Sequence, residues 1–125
     1  MRLLLDAHAL LWWLADDPAL GGSARDLISD PANEVFVSAA TVWEISVKRA
    51  LGKLDAPDDL VEVLAAEGFI EAPILASDGE RAGRLDAHHR DPFDRMLVAQ
   101  SLRLDAAVVT REPAFAAYGT RTVAT

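Results

Sequence analysis

The sequence contains no cysteine. That absence excludes disulfides, thiolate zinc sites and thiol nucleophiles, and it fits a reducing compartment, so a cytoplasmic protein is expected. Long apolar runs are also lacking. A membrane-spanning helix needs roughly 20 apolar residues. The early Leu3-Leu4-Leu5 stretch is broken by Asp6 and has neither the basic region nor the cleavage site of a signal peptide. Neither export nor membrane attachment is expected. Basic charge is scarce as well: 12 Lys and Arg face 20 Asp and Glu, for a formal net charge of −8. Domains that grip nucleic acid by charge alone are usually basic. An acidic chain that acts on RNA therefore needs divalent cations to neutralise its site, and local arginines or a second subunit to supply a groove. Internal repeats, low-complexity tracts and linkers are absent.

What is present is a chain of 125 residues, 51% of them hydrophobic, which is enough for one packed domain over 1–125. Short apolar runs at 2–5, 35–38 and 106–110 have the length of strands buried on both faces, and 69–71 and 122–124 can add two shorter strands. Between them, helical periodicity marks 7–15, 23–29, 39–51, 58–67, 77–85 and 93–104. Punctuation agrees with these limits. Ser38 can cap the third helix and Gly52 end it, Asp58 follows Pro57 as a cap, and Ser77 with Glu80 has the spacing of a capping box. Strands alternating with helices predict an α/β fold, with a mostly parallel sheet and helices on both faces.

In such a sheet, ligands bind beyond the carboxyl ends of the strands, so residues there are read first. Asp6 ends the first strand, Ser38 ends the second with Glu44 following in the next helix, and Thr110 to Glu112 ends the valine-rich third. Asp91 and Asp94 open the helix that leads into that strand. Five carboxylates thus fall where a site belongs. Carboxylates gathered at one edge repel one another unless a cation neutralises them, which points to hard, oxygen-seeking ions such as Mg2+ or Mn2+. Such ions activate water for in-line attack on a phosphodiester, with no protein nucleophile required.

Each of these residues also has a plainer role open to it. Asp6 can cap the helix that follows, and Glu44 can be an ordinary helix-surface acid, although its neighbours Trp43 and Ile45 are apolar. Asp91-Pro92-Phe93-Asp94 is also how a helix start is written, with Asp91 as cap and Pro92 at the first helical position. Asp91 is accordingly read mainly as a cap with an outer-shell role, and Asp94 as the stronger metal ligand; Glu112 can equally be a loop acid. His8, His88 and His89 are read as structural or solvated, because zinc wants three or four close ligands. Trp12, Trp13 and Trp43 are read as core or subunit-interface residues, with base stacking as the lesser option. Lys48, Arg49, Arg90, Arg95 and Arg111 lie near the acids in sequence, and Arg95 and Arg111 are the two selected as RNA-phosphate contacts.

Taken in order, these segments resemble the PIN-domain family: LLLDAHALLWWL, VSAATVWEISVK, HHRDPFDRMLVAQS, and VVTRE before a Pro-Ala-Phe turn. The resemblance spans essentially the whole chain, and HRDPFDRMLVAQ is similar to the VapC-like toxins within the family. It implies a three-layer α/β/α fold, a Mg2+- or Mn2+-dependent endoribonuclease, a homodimer, and a cognate VapB-like antitoxin whose tail blocks the active site. It matches Asp6, Glu44 and Asp94 to the family's first, second and third acids, with Asp91 as an additional acid of the subgroup. Where the family commonly closes with Thr-x-Asp, this chain has Thr110-Arg111-Glu112, so the longer Glu112 is expected to act through water. Ser38 and Thr110 match the small hydroxyl residues that line the family's site. Two other readings stand beside this one: a PIN-like module without activity that only binds protein, and a PIN-like nuclease acting on DNA. A haloacid-dehalogenase-like phosphatase is disfavoured, since it needs an Asp where this chain has His8.

Overall fold

In β1 (Arg2–Leu5), Leu3, Leu4 and Leu5 are all fully buried although successive side chains point to opposite faces of a sheet. A strand apolar on both faces requires cover on both. The computed structural model, which describes residues Met1–Thr125, provides it. Leu3 and Leu5, with Val35 and Val37 of β2 (Glu34–Ser38) and Val109 of β4 (Ala107–Thr110), pack into one core. That face is covered by α1 (Ala7–Leu14), α2 (Gly22–Ser29), α3 (Ala39–Ala50) and α4 (Leu60–Ala66), which contribute Leu10, Ile28, Ile45 and Leu60. Leu4, Phe36 and Val108 point the other way, onto Leu97 and Val98 of α6 (Pro92–Leu104) and Phe115 of a 3₁₀ helix (Pro113–Tyr118). The expected α/β/α layering is therefore present.

With β3 (Ile70–Ala72) and β5 (Thr122–Ala124), the sheet has five strands in the order β3-β2-β1-β4-β5. Every neighbouring pair is parallel, so the sheet is wholly rather than mostly parallel. The chain winds outward from β1 first to one side, through β2 and β3, and then to the other, through β4 and β5. The switch point of the topology therefore lies beside β1, where Leu5 pairs with both Val37 and Val109.

Several start signals read from the sequence stand corrected. The fourth helix begins after Asp59, which holds the cap position without a side-chain capping bond, and Asp58 forms an ion pair with Arg49. In α5 (Ala76–Arg84) the first turn is closed by Asp78, whose Oδ2 accepts from the Leu75 amide at 2.9 Å, and not by Ser77 with Glu80. Asp78 is the better acceptor because Arg103 of α6 fixes it, donating to its two oxygens at 2.8 and 3.0 Å and tying α5 onto α6. Ser38 caps α3 as expected, accepting from the Ala40 amide at 3.0 Å, and Gly52 follows α3 at φ 71°, a conformation that favours glycine. No helix is long and apolar enough to cross a membrane.

Candidate active site

The wholly parallel sheet sends the carboxyl ends of β1, β2 and β4 to one edge, and the residues that follow those strands meet there. Asp6 leaves β1 with its amide donating to Val109 O at 3.2 Å. Its Oδ1 accepts from the Ala9 amide at 2.8 Å, so the capping role open to it is filled, and its side chain is turned into a pocket. Glu44 reaches the same pocket from α3, Asp91 and Asp94 from the first turn of α6, and Arg111 and Glu112 from the chain after β4. Helix α6 runs back along the sheet toward β4, which brings its amino end to the strands' carboxyl edge. The pocket holds about 340 Å³ and is further lined by His8, Lys48 and His89.

Asp6 and Glu44 are 7% and 6% exposed. Burial of that degree penalises a bare charge. For Asp6, burial pushes the carboxyl above its usual value, against the opposing pull of the Ala9 amide, the Thr110 side chain and the charges of His8 and Arg111. For Asp94 the effect is larger. Burial first, then repulsion from Asp91 and Glu44, push its carboxyl up to about 6, although His89 opposes them. His89 Nε2 lies 2.7 Å from Asp94 Oδ2. Lys48 Nζ donates to Glu44 Oε2 at 2.6 Å, and that bond, with the charges of Asp91 and Asp94, raises the Lys48 ammonium above its usual value despite partial burial.

Five carboxylates lining one pocket, two of them pushed toward the protonated form, suit a hard divalent cation, whose charge removes the repulsion between them. His89, Asp91 and Asp94 each offer a ligand atom, and these atoms lie within 4.8 Å of one another. Asp91 also works as the helix cap, its Oδ1 accepting from the Phe93 amide at 2.9 Å, which leaves Oδ2 without a protein partner. Glu112 accepts from the Ala114 amide at 3.1 Å, so it caps the 3₁₀ helix while bordering the pocket.

Three residues singled out from the sequence do not line the pocket. Ser38 is fully buried with its hydroxyl committed to the cap of α3, and it does not line the acidic pocket. Thr110 lies beneath the rim, its Oγ1 accepting from the Glu112 amide at 2.9 Å while its side chain supports the Asp6 carboxyl by a hydrogen bond. Arg95 is corrected from an RNA contact to a structural brace: its guanidinium donates to the carbonyls of Ala82, Leu85, Asp86 and His89 at 2.8 to 3.1 Å. Both terminal nitrogens are thereby committed, and Arg95 does not line the pocket. Arg111 does border the pocket, but it also donates to Ala19 O and lies over the Trp12 ring, 4.5 Å from its centroid.

Two pocket residues carried more than their sequence reading allowed. His89, expected to be structural or solvated, is the partner of Asp94 and lines the pocket; the signal is its place two residues before Asp91. Lys48 is four residues after Glu44, the spacing at which helical side chains of opposite charge meet. Trp43, expected in a core or interface, is 62% exposed and meets Phe93 edge to face at 5.2 Å.

Comparison with known proteins gives the geometry a family. The PIN domain family model matches residues 3–120. None of the curated proteins compared matches the chain. Among solved structures, VapBC2 from Rickettsia felis bound to a DNA fragment from its promoter superposes with a TM-score of 0.71 at 13% identity, covering 99% of this chain and 98% of that one. FitAB bound to an IR36 DNA fragment gives 0.69 at 18%, covering 98% and 94%. FitAcB from Neisseria gonorrhoeae gives 0.61 at 18%, covering 96% and 95%. At these identities the superpositions establish a shared fold.

Proposed function

This chain belongs to the PIN-domain family, and from that premise we propose that it is a metal-dependent endoribonuclease, the toxin of a VapBC-type toxin–antitoxin module. The observation that carries the reading is the meeting of Asp6, Glu44, Asp91 and Asp94 in one pocket at the carboxyl edge of the sheet. Asp6, Glu44 and Asp94 are the proposed ligands of Mg2+ or Mn2+, with Asp91 adding its free oxygen and Glu112 acting from the rim. When bound, the ion supplies the positive charge and the activated water for phosphodiester hydrolysis. The chain's own residues do the rest. Asp6, Ser38 and Asp91 make caps that hold α1, α3 and α6 so that the acids face inward. His89 orients the Asp94 carboxylate, and Arg111 and Lys48 provide positive charge at the mouth of an otherwise acidic pocket.

The proposed partners are a single-stranded or looped RNA substrate, a VapB-like antitoxin and a second copy of this chain, all within the cytoplasm. The toxin assignment rests on the HRDPFDRMLVAQ segment and on the fold shared with chains of VapBC2 and FitAB. The whole of 1–125 is read as one domain. The test is cleavage of total cellular RNA, and in parallel of single-stranded DNA, by wild type and Asp94→Asn with Mg2+, Mn2+ or chelator. Metal-dependent RNA cleavage that disappears in the variant is expected. Equal behaviour of two folded proteins under all conditions would leave the inactive binding module as the better reading, and cleavage of DNA alone would make it a DNA nuclease.

A further inference from the structure

Lys48 is set apart among the cations of this pocket by its bonding. Arg111 is fastened to the Ala19 carbonyl and the Trp12 ring, and Arg95 is spent on four carbonyls outside the pocket. Lys48 has one side-chain bond, to Glu44 Oε2 at 2.6 Å, from the next turn of α3. The Glu44 side chain is 8% exposed and that of Lys48 39%, so the ammonium bridges from the buried acid toward solvent. The charges of Asp91 and Asp94 also act on it. Its Nζ therefore competes with a divalent cation that Glu44 would hold, because two cations on one carboxylate, whether on the same oxygen or on its two oxygens, repel each other at short range.

The side chain suits temporary occupancy. Lysine presents a compact charge on a flexible four-carbon stem, whereas an arginine fork would bind both carboxylate oxygens and leave less readily. Once Glu44 is taken, an ammonium at the pocket mouth has phosphate as its natural counter-ion. We propose that Lys48 is a tethered place-holder, whose ammonium sits on Glu44 until a divalent cation displaces it and then turns to a backbone phosphate of the bound nucleic acid. This rests on the metal-dependent nuclease reading of the same pocket. Lys48 is thereby a positioning residue with two opposed effects: it weakens metal binding and strengthens substrate binding.

The test uses the full chain and two readouts other than turnover. Calorimetric titration with Mn2+ alone is run on wild type, Lys48→Met and Lys48→Arg. Fluorescence anisotropy of a short labelled single-stranded RNA with 2′-O-methyl sugars is read on the same proteins saturated with Mn2+. Loss of one partly exposed ion pair predicts Mn2+ binding tighter by roughly fivefold in Lys48→Met, together with weaker oligonucleotide binding and a shallower salt dependence. Lys48→Arg should bind the oligonucleotide as wild type does. Equal or weaker Mn2+ binding by Lys48→Met overturns the proposal, as does unchanged oligonucleotide binding. Failure of every variant and of wild type to bind Mn2+ overturns the metal-nuclease reading itself, a distinct result. Far-UV circular dichroism and the intermediate Lys48→Gln guard against a misfolded variant.

Discussion

The Nε2 of His89 and the Oδ2 of Asp94 are 2.7 Å apart, so a residue from the loop before α6 is bonded to an acid inside it. The loop is itself held: the His89 amide donates to the Tyr118 hydroxyl at 2.9 Å, and its carbonyl accepts from Arg95. Asp94 is therefore oriented from outside its own helix.

His89→Ala removes the one neighbour whose hydrogen bond keeps Asp94 from rising further, so the carboxyl should move above its present value of about 6. At subsaturating metal, where proton and cation compete for this carboxylate, the acid limb of the pH–rate profile should shift to higher pH, with a loss of about tenfold near neutrality, the usual scale for losing a partner that orients a metal ligand. His89→Asn, which can still donate to the carboxylate, should recover much of the rate. An unmoved acid limb in His89→Ala would show that the bond does not govern Asp94.

The same shift has a consequence for stability. Asp94 binds its proton more tightly in the folded chain, at about 6, than at the ordinary 3.8. Its favourable contribution is thus complete below about pH 4, declines as pH rises from 4 to 6, and is gone above that. Two units correspond to about 3 kcal/mol. Asp94→Asn, uncharged at every pH, should be more stable than metal-free wild type at pH 7 and lose that advantage near pH 4. Urea midpoints across this range decide it.

Divalent metal should stabilise the fold, because it binds the arranged carboxylates and not the unfolded chain. At a hundredfold excess over its dissociation constant the gain is about 2.7 kcal/mol, or roughly 10 °C in melting temperature. Chelator should reverse the gain. Glu44→Gln and Asp94→Asn should abolish most of it, whereas Glu112→Gln, on the rim, should retain most.

Arg95→Ala should act on the fold before it acts on RNA. It leaves the carbonyls of Ala82, Leu85, Asp86 and His89 without their charged donor. A cost of about 3 kcal/mol is expected in urea unfolding. A loss under about 1 kcal/mol, with weaker RNA binding instead, would return Arg95 to the role of phosphate contact.

The elements and their order were legible in the sequence because each is written locally. Leu3-Leu4-Leu5, Val35 to Val37 and the valines before Thr110 are too apolar to be anything but doubly covered strands, and Asp91-Pro92 can hardly be other than a helix start. Even the short strand at 122–124 is recovered, while β3 begins one residue later than its pattern suggested. The acids were legible for a related reason, since strand ends in a parallel sheet converge whatever the side chains do.

What the sequence alone determined, then, is the alternation of strands and helices and the edge at which Asp6, Glu44, Asp91 and Asp94 gather. Only the tertiary structure decided how each charge is used. Arg95 became a brace and Lys48 a pocket cation, because the destination of a long side chain depends on acceptors brought near by packing: the carbonyls of 82–89 for one, and the buried Glu44 for the other. Ser38 was spent on a backbone amide for the same reason, whereas Thr110 accepts from the Glu112 amide and still serves the Asp6 carboxyl. His89 acquired its place only when the loop before α6 was pinned by Tyr118 and Arg95, contacts that join distant parts of the chain and that no local pattern records.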